Sequence, residues 1–256
     1  GGVRRDFTPD TYPKIHESLN YFESIFDKLA ALFLDDTTIK MRCRDCGVLT
    51  YDEALQLCPV GPTARASGVC KDVRADHPYA AYADLDVKAI TPDQFMGETR
   101  GDVYDRIVVR LLEIKQSIKI TRQCLAAMPD GAVLAEPKMA KLLAQLKKAK
   151  GEAVGRHEAP RGEVMHYVRL DQKESPVAWK VKASSYSNYM SWIPMLEGEQ
   201  IADIPIIAAS IDPCISCTDR VAFIGEKGRQ ILGKDELHRL SVEKTKRIQA
   251  GLGQNR

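Results

Sequence analysis

The stretch G-D-V-Y-D-R-I-V-V-R-L-L-E-I-K-Q-S-I-K-I-T-R-Q-C-L-A-A-M, Gly101 to Met128, decides the fold class. Asp102 is a helix-capping residue. Val103, Ile107, Val108, Leu111, Leu112, Ile114, Ile118, Ile120 and Leu125 then recur at the three- and four-residue steps of a helix. Pro129-Asp130-Gly131 stops the pattern. The helix is about 26 residues long, or ~40 Å at a rise of about 1.5 Å per residue. Its apolar positions cover more than one stripe, which places it at the centre of a helical bundle.

A second amphipathic helix lies upstream. Thr8-Pro9 starts it, and Ile15, Leu19, Phe22, Ile25, Phe26, Leu29, Leu32 and Phe33 carry its period until Asp35-Asp36. Thr50-Tyr51-Asp52-Glu53 is a capping box that opens a short helix through Leu57. Pro59 to Tyr82 reads as loop, punctuated by Gly61-Pro62, Gly68 and His77-Pro78. Lys138 to Lys150 reads as a helix with a basic outer face. Glu163 to Leu170 and Pro176 to Ala183 then read as two strands joined by the polar turn Asp171 to Ser175. Tyr186 to Leu196 and Asp203 to Ser210 read as helices. Val221 to Arg256 reads as a small β unit followed by a basic helix from Asp235 on. The expectation is a mainly α protein with a small inserted antiparallel β element (α+β), one domain over residues 1–256.

The bulk numbers exclude some functions. The chain has 256 residues, 44% of them hydrophobic and 28% charged, an ordinary globular balance. A formal net charge of +2 leaves no polyanion footprint, so nucleic acid is not an expected partner. No apolar run approaches the roughly 20 residues of a membrane span, and no secretory signal pattern opens the chain. A cytoplasmic location is therefore expected. The seven cysteines are expected to be thiols or metal ligands rather than disulfides. The chain opens Gly1-Gly2 without an initiator Met, so an N-terminal portion is expected to be absent or to belong to another chain.

Four motifs could carry chemistry. In S-I-D-P-C-I-S-C-T-D-R, Cys214 and Cys217 stand three apart around a turn. Two thiolates so placed can face one metal ion, and soft donors favour zinc, iron or nickel over magnesium or calcium. A disulfide, a redox switch and a buried pair without ligand stay open on spacing alone. In G-R-H-E-A-P-R-G-E, the groups Arg156, His157, Glu158, Arg161 and Glu163 crowd around Pro160. A rigid loop there could aim the guanidinium of Arg161 at a buried site; surface decoration is the plain alternative. Cys43, Cys46, Cys58 and Cys70 could hold zinc or an iron–sulfur cluster, or be separate buried thiols. Finally, V-G-P-T-A-R-A-S-G-V and D-V-R-A-D-H-P-Y-A-A-Y place Arg65, Arg74, Asp76 and His77 as candidate buried anchors in a loop of small residues.

Taken in order, G-G-V-R-R-D, V-G-P-T-A-R-A-S-G-V, D-V-R-A-D-H-P-Y-A-A-Y, G-D-V-Y-D-R-I-V-V-R-L-L-E, E-A-P-R-G-E and D-P-C-I-S-C-T-D-R resemble one family over essentially the whole chain. It is the large subunit of membrane-bound, energy-converting nickel–iron hydrogenases, in versions like those of methanogenic archaea. The family includes the 49-kDa subunit of respiratory complex I. The resemblance implies a helical-bundle large-subunit fold. It implies that Cys214 and Cys217 bind nickel, with Cys217 bridging to iron that carries cyanide and carbonyl ligands. It implies that Arg161 sits over that centre and that Asp212 supports it. The complex I subunits lack the two thiols that this chain keeps. The family's other Cys-x-x-Cys, of the form R-x-C-G-x-C, is not Cys43-Arg44-Asp45-Cys46-Gly47, so the chain carries half of the ligand set. Family precursors are trimmed just after the position of Arg220, so the resemblance implies that residues 221–256 are either a tail still to be cleaved or one that this member keeps. Implied partners are an iron–sulfur small subunit, membrane ion-translocating subunits, ferredoxin, a maturation protease and nickel-insertion proteins. The implied place is the cytoplasmic, peripheral face of a membrane complex. A nickel-free, complex-I-like scaffold or electron-transfer subunit is the alternative.

Overall fold

The computed structural model describes residues 6–8, 10–173, 175–218, 221–225, 228–232 and 234–253. The chain divides into two compact units, Gly1–Pro213 and Cys214–Arg256.

In the first unit the helices are α1 (Thr11–Asp35), α2 (Thr37–Cys43), α3 (Tyr51–Leu57), α4 (Pro62–Ala66), α5 (Val73–Asp76), α6 (Asp93–Met96), α7 (Val103–Ala126) and α8 (Met139–Leu146). A three-stranded antiparallel sheet follows, β1 (Lys150–Ala159), β2 (Gly162–Asp171) and β3 (Ala178–Lys182), in that order. The unit ends with α9 (Ser184–Tyr189), α10 (Trp192–Leu196) and α11 (Ile204–Ser210).

The long central helix is α7. The Asp102 carboxylate caps it by accepting from the Asp105 N–H at 2.8 Å. Its N-terminal half is buried on several sides: Val103, Tyr104, Asp105, Arg106, Val108 and Val109 are all inside. The main core joins Cys43, Cys46, Leu49, Ala54, Val103, Tyr104, Val108, Met195, Ile207 and Ile211. A smaller cluster packs Phe26 and Ala30 of α1 on Ile118 of α7. The expected capping box of α3 is present, with the Glu53 carboxylate accepting from Thr50 N–H at 2.9 Å.

Several expectations change. Pro59 to Tyr82 is not plain loop: it contains α4 and α5, each too short to show a period. Helix Tyr186–Leu196 breaks into α9 and α10, so that Pro194 falls in a first turn, where its missing N–H costs nothing. The expected helix Lys138–Lys150 stops at Leu146, and Lys150 opens a strand. The largest difference is β1. Gly155 to Glu163 reads as a charged loop, yet Arg156, His157 and Glu158 lie on a strand paired with β2 from Lys150↔Asp171 to Ala159↔Gly162. The segment lacks alternating apolar residues because much of it faces water; pairing to β2, not its own propensity, makes it a strand. The hairpin of β2 and β3 forms as expected, in register from Met165↔Lys182 to Arg169↔Ala178.

The second unit contains a 3₁₀ turn at Ile215–Cys217, a hairpin of β4 (Val221–Gly225) and β5 (Gly228–Leu232), and α12 (Lys234–Gly253). This matches the expected β unit and basic helix. The cleavage position inferred at Arg220 lies outside the described residues. No helix among the described residues is long and apolar enough to cross a membrane.

Candidate functional site

Ala159 pairs with Gly162, so Pro160 and Arg161 are the two tip residues of the β1–β2 hairpin. Two contacts hold that tip in place. Gly61, at φ +65°, lies directly against Gly162, at φ +119°. A Cβ on Gly61 would come within 2.4 Å of the Gly162 Cα, so only glycine permits the approach. Asn188 of α9, fully buried, donates through Nδ2 to the Arg161 carbonyl at 3.0 Å and accepts from Val60 N–H at 2.8 Å. One amide side chain thus ties the loop before α4 to the hairpin tip.

The Arg161 side chain reaches Asp212. Its Nε donates to the Asp212 carbonyl at 2.7 Å and its Nη2 to Oδ1 at 3.1 Å. Asp212 sits at φ +54°, a left-handed conformation that aspartate tolerates better than most residues. The fold therefore brings Arg161 and Asp212, both singled out in the sequence, into direct contact.

A cavity of about 330 Å³ opens beside this pair, lined in part by Arg110, Glu113, Glu158, Pro160 and Asp212. Arg110 uses Nη1 on the Arg106 carbonyl at 3.0 Å, while its Nε and Nη2 are buried and unpaired among the described residues. Burial pulls the Arg110 pKa down; Asp212 and Glu113 favour its charge, and Arg161 opposes it. On the far side, Arg65 is 1% exposed and pairs with Glu113 at 2.6 Å and Glu158 at 2.9 Å. Of the four expected anchors, Arg65 and Arg74 are built into this ion-pair system, whereas Asp76 and His77 are not buried anchors. Sequence reading missed Asn188, Arg110 and Glu113. Asn188 has no local signal. Arg106, Arg110, Glu113 and Ser117 do follow helical spacing, a polar line along a helix read as apolar.

In the second unit, Cys214 precedes the 3₁₀ turn and Cys217 ends it, with Cys217 N–H on the Cys214 carbonyl at 3.1 Å and Cys214 Sγ 2.9 Å from Ser216 Oγ. Both thiols are half-buried. The four-cysteine set expected at Cys43, Cys46, Cys58 and Cys70 does not assemble. Cys43 and Cys46 are buried in the core, whereas Cys58 and Cys70 are exposed. Cys46 instead meets Glu199 and Asp203, the group of three metal-capable side chains found among the described residues. The reason is topological: α3 carries Cys58 away from the core that holds α2.

Comparison with known proteins agrees with this fold. Residues 1–220 match the family of the respiratory-chain NADH dehydrogenase 49 Kd subunit. The chain is 41% identical over 251 residues to the membrane-bound hydrogenase subunit alpha of Pyrococcus furiosus, covering 97% of this chain and 59% of the relative. It is 38% identical over 221 residues to the carbon monoxide-induced hydrogenase of Rhodospirillum rubrum (86% and 58%). It is 33% identical over 240 residues to the NADH-quinone oxidoreductase subunit 4 of Thermus thermophilus (86% and 57%). The chain thus spans about three fifths of the length of these relatives. With its helical bundle, its small antiparallel sheet and a match across most of its length, the chain belongs to the 49 Kd subunit family of respiratory-chain NADH dehydrogenase, which fits the large subunit of a membrane-bound hydrogenase.

Proposed function

We propose that the chain is the C-terminal portion of the catalytic large subunit of an energy-converting nickel–iron hydrogenase, interconverting hydrogen with protons and electrons. Electrons would pass through an iron–sulfur small subunit to ferredoxin, and membrane subunits would couple the reaction to ion movement at the cytoplasmic face. A maturation protease and nickel-insertion proteins would complete the centre. The observation that carries this reading is the Arg161–Asp212 pair, held by a glycine contact and a buried amide, in a chain that also keeps Cys214 and Cys217. Two sulfur donors on one turn suit a soft metal. Cys214 and Cys217 would supply two of the thiolates that hold it. When bound, a nickel–iron centre with cyanide and carbonyl on iron polarises hydrogen and accepts its electrons.

The protein groups have separate tasks. A guanidinium stays charged at any working pH, so Arg161 holds and orients rather than acting as a base. Two of its nitrogens are spent on Asp212, which fixes the plane of the fork. Nη1 carries no hydrogen bond among the described residues and is the donor left for a reacting molecule. The Asp212 carboxylate oxygens are the acceptor that can hold a proton beside it.

Arg161→Lys tests the pairing. Lysine has its three donors on one nitrogen at the end of a flexible stem and lacks the planar fork that grips Asp212 while leaving a donor aimed away from it. The assembled complex should keep its metal while hydrogen turnover falls about 100-fold or more. Unchanged turnover would remove Arg161 from the reaction. The second reading, a nickel-free, complex-I-like scaffold or electron-transfer subunit, is supported by the family match over residues 1–220 and by NADH-quinone oxidoreductase relatives at 33–35% identity. It predicts no hydrogen turnover in the unaltered complex.

A further inference from the structure

Cys46 Sγ, a Glu199 carboxylate oxygen and an Asp203 carboxylate oxygen all lie within 4.8 Å of one another. Cys46 comes from the turn after α2; Glu199 and Asp203 come from the segment between α10 and α11. Cys46 is 7% exposed and Asp203 8%. Both carboxylates already have one partner. Glu199 Oε1 accepts from Gly47 N–H at 2.6 Å, and Asp203 Oδ1 accepts from the Arg42 guanidinium. Each keeps a second oxygen. The Cys46 thiol has no hydrogen bond among the described residues, although it is buried and faces two carboxylates.

The turn that presents Cys46 is stiff. Asp45 and Gly47 flank it at φ +55° and +57°. Gly47 presses on Ile207 so closely that a Cβ there would come within 2.7 Å of the Ile207 side chain. Arg106, fully buried, clamps the Gly47 carbonyl at 2.6 Å and Ser210 Oγ at 2.8 Å. The thiol is thus set by the backbone, not by a mobile loop.

Charge points the same way. Arg42 against Glu199 and Asp203 leaves one excess negative charge. A divalent cation that displaces the thiol proton brings the set to neutrality. We propose that Cys46, Glu199 and Asp203 bind a zinc-class divalent cation that staples the α2–α3 turn to the segment before α11. The metal–sulfur bond forms as the S–H bond breaks, the proton leaves to solvent, and nothing is oxidised or reduced. Three protein ligands leave a fourth tetrahedral position to water. A thiolate selects zinc over magnesium or calcium. The site is independent of Cys214 and Cys217 and of the hydrogenase reading.

The test uses the assembled complex carrying this chain, stripped with a chelator and given zinc chloride. Zinc is counted by elemental analysis, and Cys46 alkylation by iodoacetamide is read by peptide mass spectrometry. The unaltered chain should hold one more zinc than Cys46→Ala, and zinc should protect Cys46 from alkylation. Glu199→Gln keeps an acceptor for Gly47 N–H and so spares the fold; its zinc affinity should fall at least about tenfold. Equal zinc in the unaltered chain and Cys46→Ala overturns the proposal, as does zinc-independent alkylation. If Cys46→Ala fails to fold, an unchanged affinity in Glu199→Gln overturns it.

Discussion

Burying the Arg65 guanidinium costs several kcal/mol before any partner is counted. The protein offsets this with carboxylates on several sides: Glu113 at 2.6 Å, Glu158 at 2.9 Å and Asp72 at 3.6 Å. Asp72 in turn holds Arg74 at 2.7 Å. Burial opposes ionisation of Asp72, but the Arg74 hydrogen bond and the charges of Arg65 and Arg74 win, so its pKa lies below the ordinary value. The sign of the pH effect follows. Unfolded, Asp72 titrates at about 3.9. Its lowered folded pKa contributes stability above that value, and the contribution is lost as pH falls through the folded pKa. Asp72→Asn should therefore destabilise by about 3–5 kcal/mol at pH 7, with a smaller gap to the unaltered chain at pH 3. Thermal melts of both chains at the two pH values check this; a gap that does not narrow would contradict it. Burial pushes the Glu158 pKa up and the Asp72 charge adds to the rise; losing Asp72 eases that rise and offsets part of the narrowing.

At the scale of elements, the hairpin β1–β2 matters most, because its tip carries Arg161. A Cβ on Gly162 would lie 2.5 Å from Gly61 N, so Gly162→Ala must push the tip off its seat. The expected cost is about 1–3 kcal/mol, with a matching fall in turnover as Arg161 leaves Asp212. Gly155→Ala, in β1 with nothing within 4 Å of its Cβ, is the control and should leave turnover unchanged. Denaturation midpoints and turnover of the two variants separate a specific seat from general strand disruption. The helices were readable because α3 and α7 carry their own caps and α1 and α7 their own periods. β1 was not, because its strand character comes from β2, and K-G-E-A-V-G-R-H-E-A shows no alternation.

For the whole molecule, the sequence motifs single out Arg161 and Asp212, and the fold makes them hydrogen-bonded partners although 51 positions separate them. What local pattern could not show is how the pair is held. Asn188 acts through contacts to Val60 and Arg161, far along the chain, and a lone Asn carries no mark of such partners; Arg110, hydrogen-bonded to Arg106, lines the cavity beside the pair. The four cysteines near the N-terminus show the reverse. Their spacing left a shared site and separate thiols both open; α3 separates them, and the core holds two of them. Cys214 and Cys217 stand in the second unit, three positions apart at one 3₁₀ turn. The central proposal, that these thiols bind nickel, is tested most directly by metal content. Elemental analysis of the assembled complex carrying Cys214→Ser should find nickel lost from the large subunit, and a nickel content equal to that of the unaltered complex would contradict the claim.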